Sequence, residues 1–204
     1  MPVFRWGQNT AAKRSTDRLP PGQRLVTNWP VLHEGQTPEF PDTWRLTLSG
    51  AVEQEVSIDW AAFKALPTIE TVEDFHCVTT WSRYDNRWAG VAVAEILALV
   101  RPLPEARHVT LHCYDQTGYT TNMSLHDFSR ASNLFATTHD GQPLAPDHGG
   151  PIRFVCHHLY AWKSAKWVCG VEFRTDDKRG YWEERGYHNH ADPWLEERYV
   201  YQED

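Results

Sequence analysis

The stretch "DFHCVTTWSRYDNRWAGV", residues 74–91, sets a histidine and a cysteine ahead of hydroxyl side chains, two tryptophans and two arginines. It is too polar for a buried strand and too aromatic for an ordinary loop, so periodicity alone does not explain it. Cys77 therefore needs a reason. It is a core residue, half of a disulfide, a nucleophile or a metal ligand, and each role implies a different protein.

The flanking segments predict a framework of strands with short helices. In "WRLTLSGAVEQEVSI", Trp44, Leu46 and Leu48 share one face, and Val56 and Ile58 share another, which reads as a hairpin. Asp59 is placed to cap a short helix, "WAAFKAL", stopped by Pro67. "VAVAEILALV" (91–100) has helical spacing and ends before Pro102. "RHVTLHCYD" and "GYTTNMSL" read as strands, Ser124 as a helix cap, and "NLFATTHDGQPL" as a strand entering an Asp-Gly turn. "GGPIRFVCHHLYAWKSAKWVCGVEFRT" predicts a strand, a tight connection and another strand. Strands and helices mix without a βαβ rhythm, so the fold class is α+β. Residues 1–16 read as a flexible tail, residues 17–204 as the domain, and the proline-rich stretch up to residue 43 as an arm laid over it. The aromatic, charged end, "GYWEERGYHNHADPWLEERY", is expected to run extended over the surface.

Composition narrows the function. The 204 residues suit one domain with its own core. A net charge of −7 argues against a nucleic-acid partner, whose phosphates need a basic surface. No apolar run reaches the roughly 18 residues of a membrane span, and "MPVFRWGQNTAAKRSTDR" lacks a secretory apolar region. A cytoplasmic protein with four free thiols (Cys77, Cys113, Cys156 and Cys169) and no membrane partner is expected.

Three constellations compete for the chemistry. His76–Cys77, His112–Cys113 and Cys156–His157–His158 offer zinc ligands, but adjacent residues of an extended segment point to opposite faces. Cys77 with a distant histidine would make a nucleophile, although no local signature marks one. The third is an anion cradle. "HGGPIR" sets two glycines beside Arg153, and ten residues on "KSAK" adds Lys163, Ser164 and Lys166, with both lysines expected on one side of a tight turn. Glycine lets backbone amides approach a ligand, arginine gives a planar fork and lysine a point charge.

A thiolate on one loop and a phosphate cradle on another suit a bound cofactor, and here the sequence resembles a family. "DFHCVTTWSRYDNRWAGV", "HGGPIRF", "LYAWKSAKWV" and "GYWEERGYHNHADPWLEERY" resemble, in order, segments of the sulfite oxidase superfamily, and in particular its short stand-alone bacterial oxidoreductases of the cytosol. The similarity runs from about residue 17 to 201. It implies a sulfite oxidase-type α+β fold around one mononuclear molybdenum–molybdopterin without an added nucleotide. It implies two-electron chemistry, with oxygen-atom transfer to or from a small sulfite-, sulfoxide- or N-oxide-like substrate, and an unidentified electron-transfer partner. Cys77 matches the molybdenum-binding cysteine, and His76 stands beside it in the same segment. Arg153 matches the pterin-binding arginine. Lys163, Ser164 and Lys166 match the segment holding the phosphate end. His148 stands where related sulfoxide reductases have an asparagine, and Cys113 near a threonine of that branch. His33 lies in the arm that covers the pterin. Tyr160 is placed to donate a hydrogen bond near the metal, Trp81, Tyr84 and Trp88 to wall the pocket, and Arg83 or Arg87 to take the role of the sulfite-recognising arginines, which have no clear match. Cys156 and His157 depart from the family's pattern of an aliphatic residue and a proline. The alternatives are a zinc-binding Cys/His domain and a non-catalytic molybdopterin-binding protein.

Overall fold

Burial at every second position builds two sheets, described here from a computed structural model over residues 18–203. The expected tail over residues 1–16 lies outside the described residues. One sheet contains β1 (Arg24–Leu25), β4 (Thr68–His76), β5 (Trp81–Ala92), β8 (Leu134–His139), β9 (Gln142–Pro143) and β10 (Arg153–Val155). The other has the order β3 (Val56–Asp59), β2 (Arg45–Gly50), β11 (Val168–Arg174), β6 (His108–Cys113), β7 (Thr120–Ser124). Most pairings are antiparallel; β1 runs parallel to β5, and β2 parallel to β11. With three short helices, α1 (Trp60–Lys64), α2 (Val93–Val100) and α3 (Leu125–Phe128), the fold is α+β.

The local chemistry explains these elements. Leu46 and Leu48 are buried while Arg45 and Thr47 are exposed, as the alternation predicted. Asp59 Oδ1 accepts the Ala62 amide at 2.8 Å and starts α1, and Ser124 Oγ accepts the Asp127 amide at 3.0 Å and starts α3. Helix α2 begins at Val93 rather than Val91, because Val91 and Ala92 are still paired with Phe135 and Leu134 of β8. Asp140 and Gly141, both at positive φ, form the two-residue turn between β8 and β9.

The two sheets share one core, in which Leu46, Leu48, Val171 and Phe173 of one sheet meet Val91, Phe135 and Phe154 of the other. Residues Leu134, Phe135 and Ala136 of β8 are all fully buried, so the first sheet is covered on both faces. Its far face carries a second cluster, Phe75, Cys77, Trp81, Trp88 and Val155. Cys156 packs in the main core.

Two expectations are corrected here. The 74–91 window, which read as too polar for a buried strand, is the end of β4, a four-residue turn and most of β5. Asp85 and Arg87 lie on the solvated side of this long hairpin while His76, Ser82 and Asn86 are buried, and a bulge between Glu73 and Phe75 interrupts the register. The C-terminal segment does not simply lie on the surface. Glu183, His188, Ala191 and Asp192 are buried in it, because Glu183 has a buried lysine to neutralise.

Candidate functional site

Cys77 opens the turn between β4 and β5. Its amide donates to Trp81 O at 2.9 Å, and its carbonyl accepts the Thr80 amide at 3.1 Å, with Thr80 at a φ of 72°. Side chains and backbone from both ends of the chain fix this turn. Gln23 Nε2 donates to Cys77 O at 3.0 Å, the Arg24 amide to Thr80 O at 2.9 Å, and Arg198 Nη1 to Val78 O at 2.6 Å. Cys77 Sγ lies 3.2 Å from Thr79 Oγ1. Burial raises the thiol pKa, while the Thr79 hydrogen bonds and the charges of Arg198 and Lys166 pull it down.

The glycine turn supplies the second part. Gly149 has a φ of +100°, and a Cβ there would meet Lys166 Cγ at 2.9 Å and Arg153 Cβ at 3.1 Å. A Cβ on Gly150 would meet Leu144 O at 1.9 Å. Only glycines let this turn close on the two cations. The Arg153 guanidinium is buried, donating from Nη1 to His148 O at 2.9 Å and from Nη2 to Ser164 O at 2.8 Å. It lies over the rings of Trp29, Phe75 and Trp88, 5.4 to 5.5 Å from their centroids. Its Nε is buried without a partner. Burial lowers its pKa to about 9. Lys166 Nζ donates to Leu32 O at 3.0 Å and Asp147 O at 2.6 Å; burial and then the Arg153 charge lower its pKa to about 7. His148 stacks on Trp29 at 3.7 Å, and burial followed by the neighbouring cations takes its pKa to about 4.

These groups meet in one cavity of about 310 Å³, within the range of small-molecule sites. Cys77, Thr79 and Trp81 line it from the hairpin, His148, Arg153, Ser164 and Lys166 from the cradle, and Trp29 and His33 from the arm. His33 hydrogen-bonds Thr37 at 3.3 Å and meets Trp167 edge-on. Trp167 holds a φ of 56° and lines the cavity, and Thr80 sits in sequence between the lining residues Thr79 and Trp81.

Several expected site residues lie elsewhere. Lys163 is fully buried and faces away from Lys166, bonded to Glu183 Oε1 at 2.5 Å, Asn122 O and Asn189 O at 2.7 Å. The short 3₁₀ turn Ala161–Lys163 ends before Ser164, so the two lysines do not share a face. His76 points to the other side of its strand from Cys77, onto Ser82 Oγ at 2.8 Å, and burial lowers its pKa to about 4. Arg83 pairs with Asp140 at 2.6 Å and with Asn86 and His139, outside the cavity. Arg87 pairs with Glu70 at 3.2 Å. Tyr160 is buried beneath Trp162, with Arg198 5.0 Å from its ring, and does not line the cavity. Cys113 ends β6 without reaching it; Asp115, Thr117 and Tyr119, just beyond, do. Of the expected wall aromatics, Trp81 lines the cavity, Trp88 is core behind Arg153, and Tyr84 lies under Arg18 on the outside. Trp162, Trp182 and Tyr187 complete the wall. Sequence periodicity gave no signal for Trp182 and Tyr187, because tertiary contact alone brings the tail there.

The donor set fits a pterin-bearing group with an anionic end. Arg153 Nε, His148 Nδ1 and Trp81 Nε1 are buried polar atoms without protein partners at one cavity. Two cations with depressed pKa values beside each other favour an anion between them. No three His, Cys, Asp or Glu side chains converge as a metal cage among the described residues, which argues against the zinc alternative.

The sequence profile of the oxidoreductase molybdopterin binding domain matches residues 34–182. The chain belongs to this family. It is similar to the uncharacterized oxidoreductase YuiH of Bacillus subtilis, 41% identical over 194 residues, covering 94% of this chain and 97% of YuiH. It is also similar to the protein-methionine-sulfoxide reductase catalytic subunit MsrP of Campylobacter jejuni, 24% identical over 74% of this chain and 57% of MsrP, so it spans little more than half of that relative. The crystal structure of the sulfane dehydrogenase SoxCD from Paracoccus pantotrophus superposes with a TM-score of 0.63 at 17% identity, over 69% of this chain and 40% of SoxCD, which shows a shared fold. The molybdopterin-binding oxidoreductase range contains Cys77, Arg153, Ser164 and Lys166. Trp29, His33 and Tyr187, which close the same cavity, lie outside it. As a member of this family the chain is a molybdopterin-dependent oxidoreductase of the sulfite oxidase superfamily.

Proposed function

We propose that this oxidoreductase binds one mononuclear molybdenum–molybdopterin and catalyses oxygen-atom transfer to or from a small, uncharged S-oxide or N-oxide. The observation that carries the reading is that one cavity holds a buried cysteine, Cys77, together with the Arg153–Lys166 pair. The bound cofactor would supply a two-electron redox centre. Cys77 would give the metal a soft thiolate. Arg153, with both Nη groups committed to carbonyls, would present its free Nε and its charge to the pterin, and Lys166 would neutralise the phosphate. His148, His33 and Ser164 would shape the same end.

The substrate side supports an uncharged oxide over sulfite. Arg83 and Arg87 are held in ion pairs outside the cavity, and Thr79, Trp81, Trp162, Trp182 and Tyr187 line it near Cys77 and its flanking arm. Aromatic walls exclude water and take weakly polar groups. All four cysteines are free thiols, which supports a reducing compartment. Elemental analysis after expression in a cofactor-competent host, with pterin fluorescence after denaturation, tests the reading. About one molybdenum and one pterin per chain are expected, with the metal lost or its thiolate absorption changed in Cys77→Ser. Stoichiometric zinc without molybdenum, or an unaltered metal site in Cys77→Ser, refutes it.

A further inference from the structure

The turn that carries Cys77 is pinned at three of its carbonyls, and of its two threonines Thr79 faces the sulfur. The Cys77, Val78 and Thr80 carbonyls are each held, by Gln23, Arg198 and Arg24. Thr79 sits between the held carbonyls on the cavity side, with Oγ1 3.2 Å from Cys77 Sγ. A cysteine bound to a metal is a thiolate and carries no proton, so only the hydroxyl is able to donate in that pair. We infer that Thr79 is a positioning residue whose hydroxyl donates to the Cys77 thiolate and sets how much electron density the sulfur gives the metal.

The physical consequence has a sign. A hydrogen bond to a ligating sulfur withdraws electron density from it, weakens its donation and favours the reduced metal. Valine has nearly the shape of threonine but no hydroxyl. Serine keeps the hydroxyl and drops the methyl. Thr79 would therefore act on the metal through the Cys77 sulfur.

This inference rests on the reading of Cys77 as the metal's thiolate, and the test separates the two. On the molybdenum-loaded full chain, Thr79→Val is expected to keep metal and pterin content, shift the metal's reduction potential to more negative values, and shift the sulfur-to-metal absorption band. Thr79→Ser is expected to restore both. In the unaltered holoenzyme, double-resonance spectroscopy of the one-electron-reduced metal should show an exchangeable proton coupled through the sulfur. That measurement needs no variant, so poor loading of Thr79→Val leaves the inference testable. If Cys77→Ser leaves the absorption band unchanged, the ligand reading itself has failed. If Cys77→Ser abolishes the band but Thr79→Val leaves potential and band unmoved, or Thr79→Ser matches Thr79→Val, or the proton is missing, the role given to Thr79 is wrong.

Discussion

Replacing Lys163 with methionine tests how the cavity wall is held. Lys163 and Glu183 are both fully buried, with Nζ 2.5 Å from Oε1. The same oxygen accepts Thr121 Oγ1 at 2.9 Å and Trp162 Nε1 at 3.0 Å, and Trp162 lines the cavity. The pair therefore ties the C-terminal segment, with Trp182 and Tyr187, to the sheet. Removing one partner of a buried pair strands the other charge and costs about 3–5 kcal/mol, a large share of a typical stability of about 5–15 kcal/mol. With a urea m-value of about 2 kcal/mol/M, the unfolding midpoint of Lys163→Met should fall by about 2 M. Thermal unfolding should fall by roughly 10 °C for a chain of this size. Lys163→Met combined with Glu183→Gln should recover much of the loss, since neither charge is then stranded and glutamine still accepts from Thr121 and Trp162. A midpoint within about 0.5 M of wild type, with cofactor content lost instead, would refute the structural role and return Lys163 to the phosphate end.

Other perturbations separate the cradle from its surroundings. Arg153→Lys keeps the charge but loses the fork to His148 O and Ser164 O; pterin per chain should fall about tenfold or more, since a charged hydrogen bond is worth about 1.5–3 kcal/mol. Lys166, with its pKa lowered to about 7, is charged below that value and neutral above it; inorganic phosphate, followed by tryptophan fluorescence on the cofactor-free chain, should bind progressively more weakly as pH rises through 7, and Lys166→Met should flatten the profile. Arg83→Ala should leave cofactor content and turnover within about twofold of wild type, because Arg83 serves Asn86, His139 and Asp140, with a stability loss of about 1 kcal/mol; a tenfold loss of turnover would place it at the substrate. His190 has a raised pKa, mainly from Asp127 and also from Glu197. Its contribution is present below the ordinary histidine value and is lost as pH rises through the raised one, so thermal stability should decline as pH rises above the ordinary histidine range and His190→Asn should lessen that decline.

The sequence by itself determined most of the local structure and named part of the candidate cavity lining. Alternation at Leu46 and Leu48, the caps at Asp59 and Ser124 and the Asp-Gly turn are legible because each depends on neighbours a few residues away. Gly149, Arg153, Ser164 and Lys166 were legible for a related reason: a turn that must approach a ligand needs glycine, and the cations follow within a short span. The tertiary structure alone decided which members of a cluster face the cavity. Lys163 and Lys166 are three residues apart, yet one neutralises Glu183 in the core and the other lines the cavity. Which way each points depends on a carboxylate twenty residues on, invisible to any local pattern. His76 and Cys77 were separated by the strand's two-residue period, and Arg83 was drawn away by Asp140 across the sheet. Trp29 reaches the cavity from before the matched family range, and Tyr187 from beyond it. Burial of distant aromatic surface brought them there, and it has no spacing in the sequence to read.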